Sequence, residues 1–193
     1  TLYSSSAASD VYKRQPLDLR PFLLHHGRFG LNLSLSSDAE RLTAYHEAGH
    51  ALMAHLCGQQ ITEVEIVGDD DHAGSVQSLS FPADPHDEEE TGTERDAVER
   101  RLKCVLAGTV AEAIVTGRSG WDESCEDLDI AVRLAMPLVD DCEDVVPFLE
   151  DLGSQIEDDL RAHWDTIEVL VMELLQRKSL TGGDVRRIIE GEV

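Results

Sequence analysis

A mainly α-helical domain with a small two- or three-stranded β element is the fold this chain predicts, on three observations. Apolar residues recur at spacings of three and four along four long stretches, the signature of helices with one buried face. Alternation of β-branched and polar residues is confined to two short stretches, Ile61–Val67 and Ser75–Phe81. The length of 193 residues and a hydrophobic fraction of 41% supply one real core, or at most two small ones.

Ser5–Gln15 has neither helical nor strand periodicity and, with suitable codons, translates a sequencing-library adapter. Residues 1–15 are therefore expected to be non-native and take no part in the fold reading. Residues 16–35 carry two phenylalanines and the His25-His26 pair but no clean period, and read as an irregular lead-in. Ser37 with Glu40 forms an S-x-x-E capping box, after which Leu42, Tyr45, Gly49, Leu52, Met53 and Leu56 keep helical spacing until Gly58 stops the helix. Ile61–Val67 reads as a half-exposed strand. Ser75–Phe81 is a weaker one, joined to it across Gly68–Asp71 as an antiparallel pair. Pro82–Thr93, with its run Asp87–Glu90, is an acidic loop whose charges read as solvated chain.

A second helix is predicted from Glu94 to about Thr116, burying Val98, Leu102, Val105, Val110, Ala111, Ile114 and Val115. A loop over Gly117–Glu123 leads to a third helix, from near Ser124 through Leu138, which Pro137 kinks or ends. One large helix then carries Ile156, Leu160, Trp164, Ile167, Val171 and Leu174. Thr181 and Asp184 bracket a capping signal before a short helix over Val185–Ile189.

Composition narrows the function. Sixteen Lys and Arg against 39 Asp and Glu give a formal charge of −23, which excludes a nucleic-acid binder that works through phosphate contacts. The longest apolar run, Val105–Val115, is interrupted by Glu112, and none approaches the roughly 18–20 residues that span a bilayer. Four separated cysteines without a C-x-x-C pair fit a reducing, cytoplasmic setting, and Cys57 and Cys104 read as small core hydrophobes.

The motif that carries chemistry is His46-Glu47-Ala48-Gly49-His50, an H-E-x-x-H inside the first helix. Four residues advance a helix by slightly more than a turn, so both imidazoles project from one face and can share a metal ion. Glu47 sits about 100° further round the axis, placed to act on a metal-bound water as general base without itself being a ligand. Zinc is the expected ion, because imidazole nitrogens suit it and three protein ligands leave a position for water. The implied reaction is peptide-bond hydrolysis. His55, His72, His86 and His163 lack partner spacing and read as surface or packing residues.

Thr43-Ala44-Tyr45-His46-Glu47-Ala48-Gly49-His50-Ala51-Leu52 resembles the zinc helix of FtsH-type metallopeptidases, the proteolytic part of membrane ATP-dependent proteases. Leu106–Glu112 is similar to that family's L-x-G-x-x-A-E segment, with Thr109 where arginine is usual. Cys125-Glu126-Asp127-Leu128, followed by Ala131, is similar to the segment around its third zinc ligand. Leu174-Leu175, Leu180-Thr181-Gly182, Val185 and Ile188 resemble the domain's C-terminal signature, so the resemblance spans about Ser37–Glu190.

The resemblance implies Asp127 as third ligand, although a carboxylate in the first turn of a helix is also favourable without any metal. Glu112, acidic within an apolar face, is the rival ligand or else a hydrogen-bonding partner of a zinc histidine. Either Ile61–Val67 or Ser75–Phe81 could offer an edge for an extended substrate, and Glu63 and Glu65 equally suit an edge blunted by charge.

FtsH-type proteases couple the peptidase to an ATPase and usually to transmembrane helices. This chain holds no G-x-x-x-x-G-K-[ST] motif, and residues 16–35 do not resemble the ATPase segment that normally precedes the zinc helix. The expectation is a stand-alone zinc metalloendopeptidase domain over residues 36–193, acting on unfolded or flexible proteins or peptides. A homo-oligomer or a separate ATPase partner is compatible with it. The alternatives are a detached proteolytic module of an ATP-dependent protease and a non-catalytic, metal-binding regulatory domain.

Overall fold

The computed structural model describes residues 38–66, 79–80, 94–117 and 126–191. The adapter-like segment, the lead-in, the Ser37 cap, the acidic loop, the turn at Gly68–Asp71, most of Ser75–Phe81 and residues 118–125 lie outside them. Six α-helices are present among the described residues: α1 (Asp38–Leu56), α2 (Glu94–Thr116), α3 (Glu126–Ala135), α4 (Val145–Ala162), α5 (Trp164–Arg177) and α6 (Gly182–Ile189). Four short strands accompany them: β1 (Gln60–Ile61), β2 (Glu63–Glu65), β3 (Leu79–Ser80) and β4 (Ser179–Thr181).

α1 is the centre of the domain. From Glu47 to Ala54 every residue is buried, because α2 and α5 both pack on it. Small residues set its approach to α2. A Cβ on Gly49 would lie 2.6 Å from the Ala107 carbonyl oxygen and 2.8 Å from Ala111 Cβ, so glycine is what lets the two backbones come this close. The helix ends as expected at Gly58, whose φ of 74° carries the chain into the left-handed region. α2 has the predicted bounds, with Leu102, Leu106, Ala107, Val110 and Ala111 at its buried centre and Val98, Val105 and Ile114 half-buried beside it. α3 stops at Ala135 and continues as a 3₁₀ turn over Met136–Leu138, because Pro137 lacks the N–H that a further α-turn needs.

Two expectations are corrected. The stretch Ile61–Val67 is not one strand. β1 pairs antiparallel with β3, whereas β2 pairs antiparallel with β4, in the register Glu63↔Thr181, Val64↔Leu180 and Glu65↔Ser179. The switch falls at Thr62, whose carbonyl accepts from Gly182 N–H at 2.7 Å. The β element is therefore two two-stranded pairs, one of them closed by a strand far along the chain.

The long helix around Trp164 is also two helices, α4 and α5. His163 Nδ1 donates to the Asp159 carbonyl at 3.0 Å, occupying the acceptor that its own amide would use in a continuous α-helix. The His163 N–H turns instead to the Leu160 carbonyl at 3.1 Å, with backbone angles of −119° and 25°. Trp164, the first residue of α5, then stacks on Tyr45 of α1, with ring centroids 5.8 Å apart.

α6 starts at the expected capping box: Thr181 Oγ1 accepts from Asp184 N–H, and Asp184 Oδ2 accepts from Thr181 N–H. The core runs through all these elements, with Leu52, Leu102, Ile156, Leu160, Ile167 and Leu174 fully buried.

Candidate metal centre

His46 and His50 project from one face of α1 towards α2 and the first turn of α3. Their Nε2 atoms are 2.9 Å apart, with the rings edge to face at 80°. Asp127, in the first turn of α3, brings Oδ2 to 3.2 Å from His46 Nε2 and 3.4 Å from His50 Nε2. A tetrahedral zinc shell with bonds of about 2.0–2.1 Å separates its ligand atoms by roughly 3.3–3.4 Å; the two Asp127 separations match this, the two imidazole nitrogens stand closer at 2.9 Å, and all three atoms converge on one point. Among the described residues, this trio is the one cluster of His, Cys, Asp or Glu able to hold a metal.

Each imidazole is oriented by its other nitrogen. His50 Nδ1 donates to the Cys104 carbonyl at 2.8 Å, which can only accept, so the Nε2 lone pair points into the cluster. His46 Nδ1 donates to Glu112 Oε1 at 2.8 Å. Of the two carboxylates the sequence left open, Asp127 therefore stands at the shared point and Glu112 behind His46.

Burial disfavours a charged His46, yet its hydrogen bonds to Asp127 and Glu112 and the nearby Glu47 outweigh this and push its pKa up to about 10. Burial likewise opposes a charged Asp127, but hydrogen bonds to His46 and His50 hold its carboxyl well below the usual carboxylate range. With no cation present, His46 therefore holds a proton while Asp127 stays ionised beside it.

Glu47 is buried, at 5% exposure, and burial raises its pKa against the attraction of His50 and His46. Its Oε2 is buried without a hydrogen-bond partner, the state of a carboxylate oxygen kept for a group the protein itself does not provide.

Two further contributors, Gly108 and Thr109, lie in the Leu106–Glu112 segment and had been given no role in the site. A Cβ on Gly108 would lie 2.5 Å from His50 Nε2 and 2.7 Å from His46 Nε2, so the space beside both nitrogens exists because residue 108 has no side chain. Buried Thr109 extends its hydroxyl to Asp127 Oδ2 at 3.5 Å. The L-x-G-x-x-A-E resemblance drew attention to this segment without revealing that it forms the wall of the site.

Residues 33–143 match the model of peptidase family M41. The chain belongs to peptidase family M41. This M41 domain is similar to the ATP-dependent zinc metalloprotease FTSH 11, chloroplastic/mitochondrial, of Arabidopsis thaliana, at 26% identity over 82% of the chain and 23% of that protein. It is similar to the ATP-dependent zinc metalloprotease FtsH of Rickettsia conorii at 33% identity, over 56% of the chain and 16% of that protein. With FtsH 4 of Sorangium cellulosum it shares 27% identity over 83% of the chain and 30% of that protein. The chain thus spans less than a third of the length of these relatives. No helix among its described residues is long and apolar enough to cross a membrane.

The M41 assignment and the His46–His50–Asp127 cluster together make this a zinc metallopeptidase domain.

Proposed function

We propose that this M41 domain is an endopeptidase that cleaves unfolded or flexible protein segments, with His46, His50 and Asp127 holding zinc and Glu47 as general base. The observation that carries the reading is the conjunction of three convergent ligand atoms with a buried, unpartnered Glu47 oxygen beside them. A bound zinc ion would supply Lewis acidity towards water and the scissile carbonyl.

The remaining work falls to the chain. Glu47 Oε2 takes the proton of the attacking water, and burial strengthens it as a base. The same carboxyl, once protonated, is the proton donor for the departing amine. Glu112 and the Cys104 carbonyl keep the imidazoles in one tautomer and orientation while charge redistributes at their Nε2 atoms. Asp127 is held by the two histidines and by Thr109.

The relatives carry ATP dependence in their names and are several times longer than this chain. That supports a second reading of the same chemistry, in which the domain works as the proteolytic module of an ATP-dependent assembly, the ATPase lying in the same polypeptide or in a partner. A homo-oligomer is compatible with both readings. Casein digestion by the purified chain separates them: hydrolysis without ATPase supports independent action, and hydrolysis only with an added ATPase supports the module. Glu47→Gln is expected to keep one zinc per chain and lose hydrolysis by at least about a hundredfold, the lower range for a positioned acid or base. Full activity in that variant, or no stoichiometric zinc in the parent chain, would overturn the mechanism.

A further inference from the structure

Thr109 stands where the FtsH-type segment usually carries arginine, so what it does here belongs to this chain. Gly108 and Thr109 are consecutive on α2, and their directions differ by about 100° around the helix axis. The first leaves room beside the two imidazoles, and the second turns towards the first turn of α3. A helical threonine can return its hydroxyl to a carbonyl one turn back. Thr43 does so to Ala39 at 3.2 Å, and Thr116 to Glu112 at 2.8 Å. Thr109 is buried, at 8% exposure, and its Oγ1 reaches out of α2 to Asp127 Oδ2 at 3.5 Å. The same oxygen faces His46 Nε2 at 3.2 Å and His50 Nε2 at 3.4 Å, so two imidazole nitrogens and one hydroxyl share it and none of the three contacts is short. An ion held by the two nitrogens uses their lone pairs, and a ligating Nε2 has no hydrogen left to give Asp127. Of the three groups, the Thr109 hydroxyl is the one that can still donate to the carboxylate when the site is loaded.

We propose that Thr109 is the positioning residue of the third ligand, its hydroxyl fixing the Asp127 carboxylate so that Oδ2 is the oxygen presented to zinc. The inference rests on the metal assignment above and adds to it the group that holds Asp127 once the histidines no longer do. A carboxylate has two equivalent oxygens and a broad terminal torsion, so without a donor beside it either oxygen, or both, can turn to an ion. One hydroxyl at Oδ2 removes that freedom. It does so without competing with the metal, because each carboxylate oxygen has two lone pairs, one for the ion and one for the hydroxyl. Coordination through a single oxygen also keeps the fourth position of a three-ligand zinc site for water. Two successive residues of α2 thus serve different ligands, Gly108 by having no side chain and Thr109 by the hydroxyl of its own.

The test measures zinc affinity of the full chain by competition with a chromophoric chelator, a readout independent of peptidase activity, with melting of the metal-free form as the check on folding. Thr109→Val keeps the shape of the side chain and deletes the hydroxyl. It is expected to bind zinc about 10–100-fold more weakly, the cost of removing a partner that orients a ligand. Thr109→Ser keeps the hydroxyl and deletes the methyl group, and is expected to recover most of that loss. A packing role predicts the opposite order, since serine leaves a void in the buried site and valine does not. Should the valine variant fold poorly, Thr109→Ala compared with Thr109→Ser still isolates the hydroxyl. Affinity of Thr109→Val within about threefold of the parent, below the smallest loss expected of an orienting partner, would overturn the proposal and leave the metal assignment standing. Serine as weak as valine would do the same. A parent chain that binds no stoichiometric zinc would overturn the metal assignment itself, and the proposal with it.

Discussion

Replacing Gly108 with alanine puts one methyl group against the two nitrogens on which zinc depends. The new carbon would stand 2.5 Å from His50 Nε2 and 2.7 Å from His46 Nε2, where ordinary contact begins at 3.4 Å. The rings must retreat by roughly 0.7–0.9 Å, several times the tolerance of about 0.2 Å on a metal–ligand bond. Losing a partner that merely orients a ligand costs about 10–100-fold in metal affinity. Displacing two ligands should cost more than about 100-fold, or roughly 2.8 kcal/mol. Alanine is also the better helix former by about 1 kcal/mol, which offsets the crowding when no ion holds the rings in place. The expected outcome is a folded, helical protein with a near-normal metal-free melting midpoint and a severe zinc defect. Competition with a chromophoric chelator measures the affinity, and thermal unfolding of the metal-free form measures the fold. Gly183→Ala, whose Cβ would meet only Thr181 Oγ1 at 3.8 Å, is the control and should bind zinc normally. Zinc affinity of Gly108→Ala within threefold of the parent would refute the placement of the site against α2.

Glu112→Gln keeps the shape of the partner behind His46 but removes its charge, and zinc affinity measured in the same way should fall about 10–100-fold while Cys104 still orients His50. The metal-free protein should show a stability window in pH. His46, raised from 6.5 to about 10, stabilises the fold in full below about pH 6.5 and ceases to as pH rises through 10; Asp127, lowered from 3.8, stabilises above that value and fails as pH falls. Melting midpoints that climb from pH 7 to 10 would contradict the His46 assignment. Because zinc must displace the His46 proton, its apparent affinity should rise with pH up to about 10, and metal uptake should acidify a weakly buffered solution. Thr181→Ala removes the cap of α6 and should cost about 1 kcal/mol, read as a midpoint lower by roughly 2–4 °C.

What was legible beforehand were features whose cause is local. The H-E-x-x-H on one helix face, the stop at Gly58, the break at Pro137 and the Thr181–Asp184 box each depend on residues within a turn or two, and each stands where its pattern placed it. Features decided by distant groups were hidden. Periodicity runs unbroken from Ile156 to Leu174 because both α4 and α5 bury that stripe, while the break depends on one imidazole capturing a carbonyl at His163. The split at Thr62 is set by a strand at residues 179–181, whose three residues carry too little pattern to announce themselves. In the site, two ligands and the base were plain, and Asp127 needed the family resemblance. Gly108 and the Cys104 carbonyl act through an absent side chain and a backbone atom, which no residue type advertises.

The short segment Lys178–Gly182 grips both flanks of the zinc helix. Lys178 Nζ reaches Glu40 Oε1 in the first turn of α1 at 2.6 Å across 138 residues, while β4 and Gly182 fasten the strand that follows it. Contacts of such sequence separation form late, because loop closure precedes any gain from them. On a ribosome, the metal ligands therefore leave the exit tunnel well before the clamp that braces their helix. Until the clamp arrives, the nascent helix lacks both the ion pair at its first turn and the strand pairing beyond its end.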